Sequence, residues 1–179
     1  MQAEPSIDRY DSFTVFFHWA VAALVVEQWL GAQLIDVFAG GAPRINARSV
    51  HILLGIALGF LLLARIVWRM TRGKKLEAAE TGLLQIAAVA SHWMLYALLV
   101  AIIPVGLFLV WVRGENIFGL FHVPAFDPDN RVLRHNVGEL HGIIANAILL
   151  LASLHAGAAL VHHYLLQDNV LRRMLPDRE

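Results

Sequence analysis

Residues 140–164 read LHGIIANAILLLASLHAGAALVHHY, an uncharged run long enough to cross a bilayer as one helix. Within it, His141 and His155 stand fourteen positions apart. Fourteen residues are close to four helical turns, so both imidazoles leave the helix on nearly the same face, about 21 Å apart along its axis. Ionisable groups inside hydrocarbon are costly and usually face a bundle interior, a cavity or a cofactor. Two histidines on one face at opposite depths imply two bound groups, one toward each membrane surface.

The rest of the 179-residue chain fits a membrane setting. It is 58% hydrophobic and only 16% charged, too apolar for an ordinary soluble domain of this length. There is no cysteine, which excludes thiolate-bound iron–sulfur clusters, covalent c-type haem attachment, cysteine zinc sites and disulfides. Histidine therefore has to supply any metal ligand. A net charge of zero gives no case for nucleic acid. The start Met1–Ser12 lacks the basic, apolar, small-residue order of a cleaved signal peptide, so the first apolar segment is expected to stay in the mature protein.

Four segments are long enough to span a hydrocarbon core: 13–35, 50–70, 83–112 and 137–166. No internal repeat, low-complexity tract or linker divides them, so residues 1–179 read as one all-α domain, an integral membrane four-helix up-and-down bundle. Lysine and arginine set its orientation. The amino terminus, the second connection with its margin, and the carboxyl tail, which includes Arg178, carry nine; the first and third connections carry five. The positive-inside rule then predicts both termini in the cytoplasm.

Depth follows from helix starts. Asn46 and Asn136 read as amino-terminal caps, the second with Glu139 three residues on. His51 and His141 fall five residues past them, at matching depth on the outer side. His18 lies six or seven residues into the first helix from the inner side, and His155 about eleven from the inner end of the fourth. The expected pairs are His51 with His141 and His18 with His155. Two opposed neutral imidazoles are what six-coordinate haem iron needs along its axis. Gly55 and Gly59, with Gly142, Ala145 and Ala152, suit either a flat macrocycle or close helix packing.

A lone histidine on an apolar helix is more often satisfied by a neighbouring carbonyl or hydroxyl than a ligand; it is the depth-matched pairing of four that favours ligation. His92, some ten residues into the third helix, competes for the inner site or for a hydrogen bond to a haem carboxylate. Glu27 reads as a snorkelling group or a partner of Gln28 or Gln33, with a proton path as the alternative.

The stretches RYDSFTVFFHW (9–19), RGENIFGLFHVP (113–124), HGIIAN (141–146), LHAGAALVHHY (154–164) and DNVLRRMLP (168–176) resemble the bacterial cytochrome b561 family across nearly the whole chain. HHY followed by DN and RRMLP is the most specific part. The resemblance implies a multi-pass cytochrome of the inner membrane with two non-covalent b haems, bis-histidine ligation at His18, His51, His141 and His155, and exchange of electrons with ubiquinone. It also implies oxidation of superoxide to oxygen at the periplasmic side.

On that basis Arg48, one turn before His51, is the candidate for drawing an anion to the outer haem, helped by Arg44, Arg131 and Arg134. Asp36, Glu115, Asp127, Asp129 and Glu139 share that side, so the arginines equally read as paired surface charge. His162, two turns beyond His155 and near the same face, is the candidate quinone contact and proton donor. His163 reads as an interfacial anchor with Tyr164. Two other functions use the same residues. One is a membrane anchor passing electrons from a periplasmic dehydrogenase or hydrogenase to quinone, docked through loop 113–136, with Phe118, Phe121, His122 and Phe126, or carrying a short interfacial helix there. The other is a histidine-based metal transporter, which lacks intramembrane carboxylates apart from Glu27.

Overall fold

The computed structural model describes residues 8–79 and 81–176, so most of the start expected to stay in the mature protein (residues 1–7) and Arg178 lie outside the described residues. Four helices carry the fold: α1 (Ser12–Val37), α2 (Gly41–Thr71), α3 (Gly82–Arg113) and α4 (Arg131–Tyr164). All four are long and apolar enough to cross a membrane, and they form an all-α four-helix membrane bundle. One end, here the loop end, holds the 38–40 connection and the 114–130 loop. The other, the termini end, gathers the amino terminus, the 72–81 connection and the carboxyl tail, where Tyr10 N donates to the Arg173 carbonyl at 3.1 Å.

The apolar stretches were legible; the caps at the loop end were not. Helix α2 begins at Gly41 rather than Val50, and α4 at Arg131 rather than 137. Asn46 and Asn136 lie inside helices. The true cap of α4 is Asn130, whose side chain accepts from Leu133 N at 2.9 Å, and α2 opens with Pro43 in its first turn, where a missing N–H costs nothing. Hydropathy marks the thickness of the hydrocarbon, whereas a helix runs on into the interface, where Arg44, Arg48, Arg131 and Arg134 remain solvated. Depth matching survives, because His51 and His141 each stand ten positions after the first residue of their helix (41 to 51, 131 to 141).

Backbones pack closest between α1 and α2 and between α3 and α4; α1 and α4 touch sparsely, and α2 and α4 less still. Gly59 and Gly55 serve the close seams. A Cβ at Gly59 would meet the Ile103 side chain at 3.2 Å, and one at Gly55 would meet Gln28 Nε2 at 3.2 Å. Of the two uses foreseen for these glycines, the structure supports packing, while Gly142 has open space around it. At mid-depth Val21, Leu58, Leu62, Leu99 and Ile148 form a buried cluster drawn from every helix. Large apolar residues such as Phe60, Met70, Leu83 and Leu150 are exposed outward, as a lipid-facing surface requires.

The 114–130 loop forms no interfacial helix. Gly114 closes α3 in the left-handed region at φ 64°, where a Cβ would crowd Ala125 at 2.9 Å. A two-stranded hairpin follows, β1 (Asn116–Ile117) against antiparallel β2 (Phe121–His122).

Asp11 organises the termini end. As the cap of α1 it accepts from Thr14 N (2.9 Å) and the Thr14 hydroxyl (2.6 Å), and it also accepts from Trp68 Nε1 of α2 and from Lys74 N, both at 2.9 Å. Burial acts to raise its pKa, but these hydrogen bonds outweigh it and hold the carboxyl below the ordinary carboxylate range. A depressed folded-state pKa contributes stability that is present above the unfolded carboxylate pKa and is lost as pH falls toward the folded value. Asp11→Ala should therefore cost about 1–2 kcal/mol, the range for loss of an N-cap. Thermal unfolding in detergent should show this loss at pH 7 and a smaller one in strong acid; equal losses at both pH values would contradict it.

Candidate functional site

Two histidine pairs join helices that otherwise touch sparsely, α2 with α4 and α1 with α4. Toward the loop end, His51 of α2 and His141 of α4 have ring centres 6.3 Å apart. Toward the termini end, His18 of α1 and His155 of α4 are 6.2 Å apart. An imidazole nitrogen sits about 2.0–2.1 Å from a first-row metal ion and its ring centre about 1.1 Å behind, so two opposed rings on one ion have centres about 6.3 Å apart. Both pairs fit that spacing. Nδ1 of His51 and Nδ1 of His141 are buried without hydrogen-bond partners, which is costly unless the rings have another role. The pairings expected from depth are those the fold brings together.

The supports of each pair come from different helices. Gln28 Nε2 of α1 donates to the His51 carbonyl at 2.9 Å. Gly106 of α3 leaves room for the His141 ring, since a Cβ there would lie 3.0 Å from its Cε1. Trp29 Nε1 donates to Asn146 Oδ1 at 3.2 Å, crossing the sparse α1–α4 seam between the two levels. Near the other pair, His92 lies 5.0 Å from His155, edge to face. That is ring-packing distance, shorter than the two-ligand spacing, and its Nδ1 lies 2.7 Å from the Ala88 carbonyl of its own helix. Arg65 of α2 donates to His18 Nδ1 at 3.0 Å. Glu27 meets neither expected partner: its Oε2 is buried with no hydrogen-bond partner, as is Gln28 Oε1.

At the loop end the arginines are largely paired. Arg44 bonds Asp36 at 3.0 Å and Arg48 bonds Glu115 at 3.1 Å. Arg113 reaches the same Glu115 at 3.9 Å, so two guanidinium groups share one carboxylate and leave an excess of one positive charge. Glu115 is only 8% exposed. Beside it, the fully buried Ser49 donates from its hydroxyl to the Ile45 carbonyl and accepts from Phe118 N, each at 2.8 Å. The hairpin is thereby fixed to α2 two residues before His51. His122 lies exposed on β2, outside both pairs.

At the termini end His162 does not stand free. Its Nδ1 lies 2.5 Å from Asp168 Oδ2. Burial acts to raise the Asp168 pKa, but the bond with His162, the Val170 N–H and nearby positive charge prevail and lower it. Asp168 also lines an open cleft of about 410 Å³ with His163, Tyr164, Gln167 and Arg172. His163, expected only as an anchor, thus borders the cavity, while His162 sits behind its carboxylate wall. Asp168, Ser49 and Arg65 are the site residues the sequence did not single out, whereas Glu115 is one of the acids read there as counter-charges to the arginines, and it does pair two of them. Asp168 and Arg172 stood in the DNVLRRMLP segment without a role, and nothing local marked Ser49 or Arg65.

Comparison with known proteins finds relatives over nearly the whole chain. A family profile described as prokaryotic cytochrome b561 matches residues 9–177. The chain is 30% identical to the probable superoxide oxidase CybB of Yersinia pestis, covering 95% of this chain and 97% of that protein. It is 30% identical to cytochrome b561 homolog 2 of Escherichia coli K12, covering 94% and 92%, and 29% identical to cytochrome b562 of Cereibacter sphaeroides, covering 99% and 100%.

Removing the shared carboxylate tests the loop-end cluster. Glu115→Gln should lower stability by about 1.5–3 kcal/mol, the range for a hydrogen bond to a charged group, since both arginines lose their partner. Thermal melting in detergent measures it. A change within experimental error would mean that the ion pairs are solvated surface charge.

Proposed function

The chain belongs to the prokaryotic cytochrome b561 family, which makes it a multi-pass bacterial membrane electron-transfer protein with haem b, and from that premise we propose that it carries electrons from superoxide to ubiquinone through two haems. The observation that carries this proposal is the pair of imidazole couples, 6.3 and 6.2 Å between ring centres, spanning the two sparsely packed seams of α4. His51 and His141 hold one haem, His18 and His155 the other. In the proposed orientation the termini end faces the cytoplasm of the inner membrane and the loop end the periplasm, as the excess of lysine and arginine at the termini end supports.

Bound haem b supplies one-electron chemistry. The chain's own residues do the rest. The imidazoles fix two levels about 21 Å apart along α4, and the cluster of Val21, Leu58, Leu62, Leu99 and Ile148 keeps water from the region between them. At the loop end the single positive excess of Arg48, Arg113 and Glu115 attracts an anion, so Arg48 acts as part of a cluster rather than as a free charge. Each superoxide gives up one electron and leaves as oxygen. Two are oxidised for each quinone, which takes two electrons and two protons to become quinol. His162, bonded to Asp168 behind the wall of the cleft, is the proton donor.

The name of the Yersinia relative supports superoxide as the donor. The transporter alternative loses ground: among the described residues no group of three or more histidine or acidic side chains could hold a bare metal ion.

Pyridine haemochrome assay of purified protein should give two haems per chain. Replacing His51 or His141 with alanine should remove one component of the spectrum, and replacing His18 or His155 the other; if His92→Ala removed a haem that His18→Ala retained, the pairing would be wrong.

In stopped-flow absorbance, superoxide should reduce the haems and added ubiquinone should reoxidise them. His162→Leu should slow the quinone step by about 10²-fold or more, the usual contribution of a positioned proton donor, and leave the superoxide step unchanged. Raising ionic strength should slow the superoxide step. Haems that superoxide cannot reduce but a periplasmic protein donor can would make the chain a membrane anchor for that donor instead.

A further inference from the structure

Arg65 is a cation inside the span of α2, six positions before its last residue, Thr71, and so about 9 Å from the helix end. It is half-buried. Its guanidinium donates to His18 Nδ1 at 3.0 Å, and its carbon lies 5.3 Å from the centre of the Tyr96 ring of α3. Among the described residues no carboxylate pairs with it. Other cations are better provided for: Arg48 and Arg113 share Glu115, Arg44 has Asp36, and Lys74 has Asp8. Its like-charged neighbour Arg69 turns away to the Tyr10 ring and the Lys74 carbonyl.

An unpaired charge at this depth is expensive, because hydrocarbon and packed helices replace the water that would solvate it. Such a position is retained when the charge has something to act on. Arg65 lies close enough to His18, His92 and His155 for its charge to reach all three rings. Reduction of a cofactor held between His18 and His155 adds one negative charge there, and a fixed positive charge nearby, little screened by salt, favours that state. At the couple of His51 and His141 the nearby cations Arg48 and Arg113 share the carboxylate of Glu115, and among the described residues neither bonds to a ring of the couple as Arg65 bonds to His18.

We propose that Arg65 sets the redox level of the termini-end site: its uncompensated guanidinium beside His18 biases the haem there toward its reduced state and makes that end of the bundle the preferred resting place of an electron. This rests on the two-haem assignment above. Arg65 is a tuning residue, not a ligand, and it gives the bundle a direction that the near-symmetry of the two imidazole couples does not.

The test is a potentiometric titration of purified, haem-loaded protein in a His51→Ala background, where only the termini-end haem remains. Arg65→Met and Arg65→Gln should lower the ratio of reduced to oxidised haem at a fixed ambient potential by about tenfold, equivalent to about 59 mV for a one-electron couple. Arg65→Lys should restore most of it. An unchanged midpoint in both neutral variants would overturn the proposal, because the charge would then be cancelled by an anionic group of the cofactor. A raised midpoint would overturn it too, by showing that the guanidinium acts through the ring proton of His18 instead. Loss of the haem from both neutral variants would reduce Arg65 to a structural role and equally overturn it. Pyridine haemochrome on His51→Ala alone separates these results from failure of the two-haem assignment: anything other than one haem per chain would indict the assignment and not Arg65.

Discussion

Hydrocarbon offers no hydrogen bonds. That constraint forces the backbone into four continuous helices and makes every polar side chain between the interfaces answer for its presence. Along these spans the polar groups are few, and most have partners on another helix. Trp29 donates to Asn146, Gln28 donates to the His51 carbonyl, and Arg65 donates to His18. Among the described residues the buried atoms left without a partner are Nδ1 of His51, His141 and His163, Oε2 of Glu27 and Oε1 of Gln28. Two of them belong to imidazoles that face each other across α2 and α4, which supports the proposal that these rings hold a haem.

The same economy explains the uneven packing. Small residues draw α1 onto α2 and allow Ile103 of α3 to lie over Gly59. Contacts are sparser where the histidine-bearing face of α4 meets α1 and α2. Van der Waals contact is given up at those seams and regained around the mid-depth cluster contributed by all four helices.

The two ends of the bundle are built for different chemistry. At the loop end Ser49 ties the hairpin to α2, and Glu115 gathers two arginines beside it with one positive charge in excess. The termini end is a knot of chain segments, with Asp11 joining α1 to Trp68 and Lys74, Trp19 reaching the Met174 carbonyl at 2.7 Å, and Arg173 reaching the Glu77 carbonyl at 2.9 Å. Beside the knot lies an open cleft walled by Asp168, with His162 behind it. In the proposed function a small anion meets the first end and the quinone the second.

Periodicity and composition alone determined the four spans and the common face of His141 and His155; the matched depths of His51 and His141 were read from caps that the structure moves, and they hold because both caps lie six residues earlier, at Gly40 and Asn130. Hydropathy and the 3.6-residue repeat are local properties, and fourteen residues on one helix fix a face and a depth whatever surrounds them. The resemblance of the terminal segments to a cytochrome family was equally legible. The caps at the loop end were not, because asparagine at a helix start looks the same in sequence whether it caps or lies a turn inside. Nor could the sequence say that Arg48 would meet Glu115, that His162 would meet Asp168, that Gly55 and Gly59 would serve packing, or that Arg65 would come to rest against His18 with no counter-ion. Each of these depends on how one helix is rotated and shifted against another. That is decided by side chains fitting together across distances the local code does not reach, and only the tertiary structure records the result.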